Sequence, residues 1–118
     1  MDDLARLNIL IIDAENAGAT IDAHAFFEGI LAQSFAFRRA SGQVVDRAGF
    51  LDALASGGDR VADGGTHHFL LGSSRALTTC VVRMTVDGAS RRFDNARLFA
   101  RDAEGAWKLL AWANEPLS

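Results

Sequence analysis

The chain contains no tyrosine, a single cysteine and a single proline among its 118 residues. Cys80 alone excludes an intrachain disulfide and a thiolate metal cluster built within one chain; in its Thr/Val-rich surroundings it reads as a small buried hydrophobe. Neither sign of charge dominates. Twelve basic against fifteen acidic residues leave a net charge of −3, which gives no support to a nucleic-acid or anionic-membrane partner. Long hydrophobic runs are also missing: Ile9 to Ile12 is far too short to span a bilayer. The opening Met-Asp-Asp carries the wrong charge for a secretory leader, so the expected location is the cytoplasm. What remains is an ordinary folded composition, 49% apolar with 23% charged, which argues against disorder. The length suits one domain, expected over residues 1–118 without repeats or internal boundaries.

Turn signals organise the last third. Asp87-Gly88 and Asp102-Ala-Glu-Gly105 separate three runs rich in β-branched and aromatic residues, at 76–86, 91–101 and 107–114. That pattern predicts two consecutive hairpins, and His67 to Leu71 predicts a further strand before them. The N-terminal half reads as helical. Asp2 or Asp3 caps a first helix that Gly18 ends, and its apolar residues spread wide enough to predict burial on more than one side. Thr20 caps a second helix with Phe27, Ile30 and Leu31 facing inward. Phe35 and Phe37 alternate as a half-buried strand, and Ser41-Gly42 turns the chain. Asp46 caps a third helix carrying Phe50, Leu51 and Leu54, closed by Gly57-Gly58. Residues 57–66, with four glycines and alternating charges, read as the most mobile loop. The expected class is α+β: three N-terminal helices packed on a strongly curved antiparallel sheet, forming a cone-shaped pocket.

This order resembles the nuclear transport factor 2-like superfamily, also called the SnoaL-like or cystatin-like cone. The run from Phe35 to Leu51 is similar to the strand–turn–helix of small bacterial members of uncharacterised function, which also end in Gly-x-Trp-x-Leu-x-Ala-Trp, here Gly105 to Trp112. The resemblance covers essentially the whole chain and specifies a fold, not a reaction. It implies dimers formed through the outer sheet face. The sequence supports that independently, because Cys80, Val82, Met84 and Val86 alternate with Thr79, Val81 and Thr85, leaving neither strand face strongly polar.

The catalytic sets of such folds do not transfer. Ketosteroid isomerase-like members use a Tyr hydroxyl, which this chain lacks altogether, and scytalone dehydratase-like members need Tyr too. SnoaL-type cyclases share a His-Trp-Asp run on the last strand, where this chain has Ala111-Trp112-Ala113. Gly72-Ser73-Ser74 lacks a nucleophile elbow, and the glycines at 57, 58, 64 and 65 do not cradle phosphate. His67 and His68 are adjacent and point to opposite strand faces, so with only His24 besides them no metal site is expected. No cofactor is expected either.

Arg83 and Arg97 interrupt otherwise uncharged strands. Arg97 lies in a segment resembling the Thr-Arg-Val-Trp strand of the calcium/calmodulin-dependent kinase association domain, whose arginines on matching strands point into the pocket. Both arginines either face the cone, offering a fork that suits a carboxylate, or pair with acidic side chains. Only an odd-length turn around Asp87 puts them on one face. Arg92 and Asp94 share a strand face and read as a surface ion pair. The expected function is binding of a small apolar or carboxylate-bearing molecule by a homodimer. Arg83, Arg97 and Asn114 would supply polar points; Phe27, Phe37, Phe50, Phe99 and Trp112 apolar wall; and His67 or His68 a pocket wall. The alternatives are an isomerase, dehydratase or cyclase with a pocket carboxylate or histidine as base, and a structural assembly module with a collapsed cone. Trp107 is expected to be buried and structural, with Trp112 on the opposite face of the last strand.

Overall fold

Asp87 and Gly88 both have positive φ, 52° and 80°, and they close a two-residue hairpin in which Val86 pairs with Ala89. Such turns match the right-handed twist of the strands they join. The hairpin joins β5 (Arg75–Val86) to β6 (Ala89–Arg101) and fixes every face of the sheet's centre. Ala76, Thr78, Cys80 and Val82 stand opposite Phe99, Arg97, Asn95 and Phe93 on the inner face, which packs under the helices. Arg83 stands opposite Arg92 on the outer face.

The structure, a computed structural model, describes residues 2–54 and 57–117. The remaining elements are α1 (Asp2–Ala17), α2 (Ile21–Ile30), β1 (Leu31–Arg38), β2 (Val44–Asp46), α3 (Arg47–Asp52), β3 (Asp59–Ala62), β4 (His67–Leu70) and β7 (Trp107–Pro116). The sheet runs β2-β1-β7-β6-β5-β3, with β4 also on β5. Three helices on one sheet make the expected α+β architecture. The sheet is antiparallel except between β1 and β7, which pair in parallel because the long crossover between them brings β1 in alongside the last strand.

Local chemistry explains the boundaries. Gly18, at φ 74°, donates its N–H to the Ala14 and Glu15 carbonyls and ends α1. Thr20 Oγ1 accepts from Ala23 N and Asp46 Oδ1 from Gly49 N, each capping its helix as expected. α1 already begins at Asp2, whose side chain lies outside the described residues, so Asp3 sits within the helix. Three expectations change. α1 buries one stripe, through Leu4, Ile11 and Ala14, and leaves Ile9 and Leu10 exposed, because α2, β3 and the sheet all cover the same side. Leu31 leaves α2 for extended backbone and opens β1, though it stays buried. α3 ends at Asp52, earlier than Gly57-Gly58; Ala55 and Ser56, between them, lie outside the described residues.

The first part of the glycine-rich segment, residues 57–63, is tied down rather than loose. Asn16 at the end of α1 acts like a neighbouring strand toward Arg60, donating to its carbonyl (3.0 Å) and accepting from its N–H (2.8 Å). β3 then pairs with β5, and a Cβ on Gly57 would sit 2.5 Å from the Asn16 carbonyl oxygen. Glycine there permits close backbone approach, where composition alone suggested mobility.

A bulge in β7 corrects the tryptophans. Leu98 pairs with Ala111 but Phe99 with Leu109, so Leu110 is an extra residue and the parity switches. Leu109, Trp112 and Asn114 therefore share the inner face with Trp107, instead of Trp107 and Trp112 standing on opposite faces. Trp112 is core, 2% exposed; Trp107 is half-buried beneath the Arg101 guanidinium at 4.2 Å. Phe50 from α3 is the hub of the aromatic core, edge-on to Phe27, Phe35 and Phe37 at 5.0–5.4 Å.

Candidate functional site

The core does not fill the whole inner face. Between the C-terminal ends of α1 and α3 and the sheet lies a cavity of about 210 Å³. Its floor is buried side chains: Phe27, Phe37, Phe50, Val82 and Asn95. Its half-buried walls carry Glu15, Arg39, Arg60, Phe93 and Asn114. The volume falls below the roughly 300 Å³ at which drug-sized sites begin, so an occupant is small.

Behind the wall lies Arg97, fully buried. Burying a guanidinium is costly unless hydrogen bonds and opposite charge compensate. Its Nη1 donates to Asn8 Oδ1 (3.0 Å) and its Nη2 to Asn95 Oδ1 (3.3 Å), while Nη2 stands 3.9 Å from Glu15 Oε1. The plane lies 4.8 Å over the Trp112 ring, and Nε has no partner among the described residues. Asn95 Oδ1 also accepts from Trp112 Nε1 at 2.8 Å, so one amide oxygen binds both strands' buried donors. Arg60 Nε approaches Glu15 Oε2 to 3.7 Å. Burial nevertheless holds the Glu15 carboxyl above the ordinary carboxylate range, against the pull of Arg97 and Arg60. Burial likewise raises the Cys80 thiol, which leaves it an inert core residue.

The same network reaches a histidine. Because Arg97 donates to Asn8 Oδ1, Asn8 Nδ2 is the donor to Leu4 O (2.8 Å) and Thr78 Oγ1 (3.2 Å). Thr78 Oγ1 also lies 2.9 Å from His68 Nδ1, within hydrogen-bond reach. Burial lowers the His68 pKa.

Of the residues singled out in sequence, Phe37 and Asn114 line the cavity along with Phe27 and Phe50. Trp112 and Arg97 lie just beneath it, and Phe99 is packed into the core away from it. Arg83 does not join them: the two-residue turn places it on the outer face, exposed, opposite Arg92. His67 pairs with Thr79 on that outer face and is exposed too; its neighbour His68 is the inward one. Arg92 forms its ion pair with Asp63 at 3.1 Å rather than with Asp94. Glu15, Arg39, Arg60 and Asn95 were not anticipated. Three had a signal: Glu15 lies four residues beyond Ile11 on the buried stripe of α1, Arg39 continues the Phe35/Phe37 alternation, and Asn95 continues that of Arg97 and Phe99. Asn114 Oδ1 is buried without a hydrogen-bond partner among the described residues, an atom in want of a donor.

Among the described residues no cluster of His, Cys, Asp or Glu is placed to hold a metal ion, and no helix is long and apolar enough to cross a membrane.

No protein-family model matches the chain, and no curated protein does. Solved structures do. An NTF2-like protein of unknown function from Pseudomonas aeruginosa superimposes with a TM-score of 0.82 at 14% identity, over 98% of this chain and 99% of that one. A Caulobacter vibrioides protein with a cystatin-like fold gives 0.77 at 15% identity, covering 99% and 89%. The hub homology domain of calcium/calmodulin-dependent kinase II from Chlamydomonas reinhardtii gives 0.75 at 15% identity, covering 99% and 98%. At such identities likeness speaks for architecture alone, and on that count three helices on a curved sheet open at one end make this the NTF2-like, cystatin-like fold.

Proposed function

We propose that the chain binds a small, mostly apolar molecule in the cavity above Phe27, Phe37 and Phe50. The observation that carries this reading is Asn114: it lines the cavity beside an aromatic floor, and its Oδ1 is buried with no donor among the described residues. An apolar body with one hydroxyl or amide N–H satisfies both. A collapsed cone, as a purely structural module would have, leaves no such wall. Amide-resolved NMR titration with phenethyl alcohol tests the reading. Shifts concentrated at Phe37, Asn95 and Asn114 support it; shifts scattered over the surface, or none at millimolar ligand, contradict it.

The assembly we propose is a homodimer through the outer sheet face. Leu77, Ala96, Leu98, Ala111 and Ala113 make that face apolar and shallow. Two similar structures are named as an association domain and a hub, words that denote assembly. Leu98→Glu, on the outer face, is expected to convert a dimer to a monomer in sedimentation velocity, with Leu77→Ser milder; a wild-type monomer would refute it. On composition, the cytoplasm is the location that goes with this reading.

A second reading rests on Glu15. A carboxyl on the cavity wall whose proton affinity is raised by burial is what a general base or acid requires. Benzylacetone in D₂O provides a test: accelerated exchange of its α-protons that disappears in Glu15→Gln supports an isomerase-type enzyme, and exchange at the buffer rate in wild type removes that reading.

A further inference from the structure

The charges around the cavity are unequal. Three guanidiniums, of Arg39, Arg60 and Arg97, face one carboxylate, that of Glu15. Two of the three are occupied. Arg97 is spent on Asn8, Asn95 and Glu15 behind the wall, and Arg60 on the side chain and the backbone carbonyl of Glu15 (3.2 Å). Arg39 differs. Its backbone N–H bonds to Gln43 O, but its guanidinium has no hydrogen bond or ion pair among the described residues. It rests 5.9 Å over the ring of Phe37, which is itself cavity floor, so the aromatic face holds the charge above the opening. The parallel register that pairs Arg38 with Ala113 brings Arg39 alongside Asn114.

We infer that the occupant is an amphipathic carboxylate, its apolar body against Phe27, Phe37 and Phe50, a hydroxyl or N–H on that body toward Asn114, and its head at the rim on Arg39. The inference rests on the reading that the cavity is a binding site and adds the sign and placement of the ligand's charge. A planar guanidinium fork matches one carboxylate, and an unpaired one beside a low-dielectric wall gains most from it. A cationic ligand meets three positive groups. A carboxylate turned the other way meets Glu15, a like charge, and finds Arg60 and Arg97 already engaged. The small cavity limits the body to roughly one ring with a short chain.

Three probes share that body and differ only in head: phenylacetate, phenethyl alcohol and phenethylamine. Calorimetry on the wild-type protein is expected to give phenylacetate a Kd at least about tenfold below that of the alcohol, with the amine weakest. Arg39→Met should bring phenylacetate to the level of the alcohol while leaving the alcohol unchanged, and Arg39→Lys should restore part of the preference. Raising salt should weaken phenylacetate alone. If the alcohol binds but phenylacetate binds no tighter, or if Arg39→Met keeps the preference, the inference is overturned and the cavity reading stands. If none of the three binds, the cavity reading falls and the inference with it.

Discussion

The two faces of the β5–β6 hairpin use similar residues and put them to opposite ends. On the inner face Thr78, Asn95 and Arg97 are polar and buried, each held by a named partner. On the outer face Arg83 and Arg92 are polar and exposed, directly across from one another, an arrangement tolerated because Asp63 pairs with Arg92 and water screens the charges. Polarity does not decide the face. The number of residues in the turn decides it, and burial then dictates which polar groups need a network. The inner face is thus where one substitution matters, and the outer face is where substitutions test only assembly.

Trp112→Ala sets the top of the scale. It removes a buried ring that packs on Phe37 at 4.9 Å and donates to Asn95, so it is expected to cost about 3–5 kcal/mol in chemical denaturation. Trp107→Ala, half-buried on the same face, should cost roughly 1–2 kcal/mol. The reverse ranking would put the β7 bulge in the wrong place.

The two arginines sharpen the contrast. Arg97→Leu strips Glu15, Asn8 and Asn95 of their shared donor and should cost about 3 kcal/mol. Arg83→Ser should stay within about 0.5 kcal/mol of wild type. Equal costs for the two would mean that both face the same way. Combining Arg97→Leu with Glu15→Gln should recover part of the loss, since no buried charge is then left unpaired.

A smaller effect separates burial from pairing at Glu15. Its folded-state pKa is raised, chiefly by burial. The stability it contributes is therefore complete below the unfolded value and lost as pH rises through the folded one. Melts from acidic pH upward should show wild type losing ground to Glu15→Gln just above the usual carboxylate range. Wild type gaining ground there instead would show that Arg60 and Arg97 outweigh burial.

Much of the frame was legible in the chain. Asp87-Gly88, Thr20 and Asp46 act locally, through turns and caps that need no distant partner, and each does what its type implies. The failures share a cause: they depend on contacts far along the chain. Gly57 read as loose because nothing in sequence shows Asn16 gripping Arg60 forty-four residues away. The extra residue at Leu110 leaves no mark of its own, yet it reverses the faces of Trp107 and Trp112 relative to each other. The cavity was legible through Phe37 and Asn114, while Arg83 and His67 hung on a turn length and a strand parity left open. Glu15 was overlooked although its helical spacing put it on the buried stripe.

The binding and enzymatic readings both rest on the space above Phe37 and Phe50 being a site. A crystal structure of the protein soaked with phenylacetate measures this directly. The expected result is the ring against Phe27, Phe37 and Phe50, with the carboxylate at the rim on Arg39. A cavity closed by rearranged Phe50 and Leu54 side chains, with the ligand bound elsewhere, would contradict it.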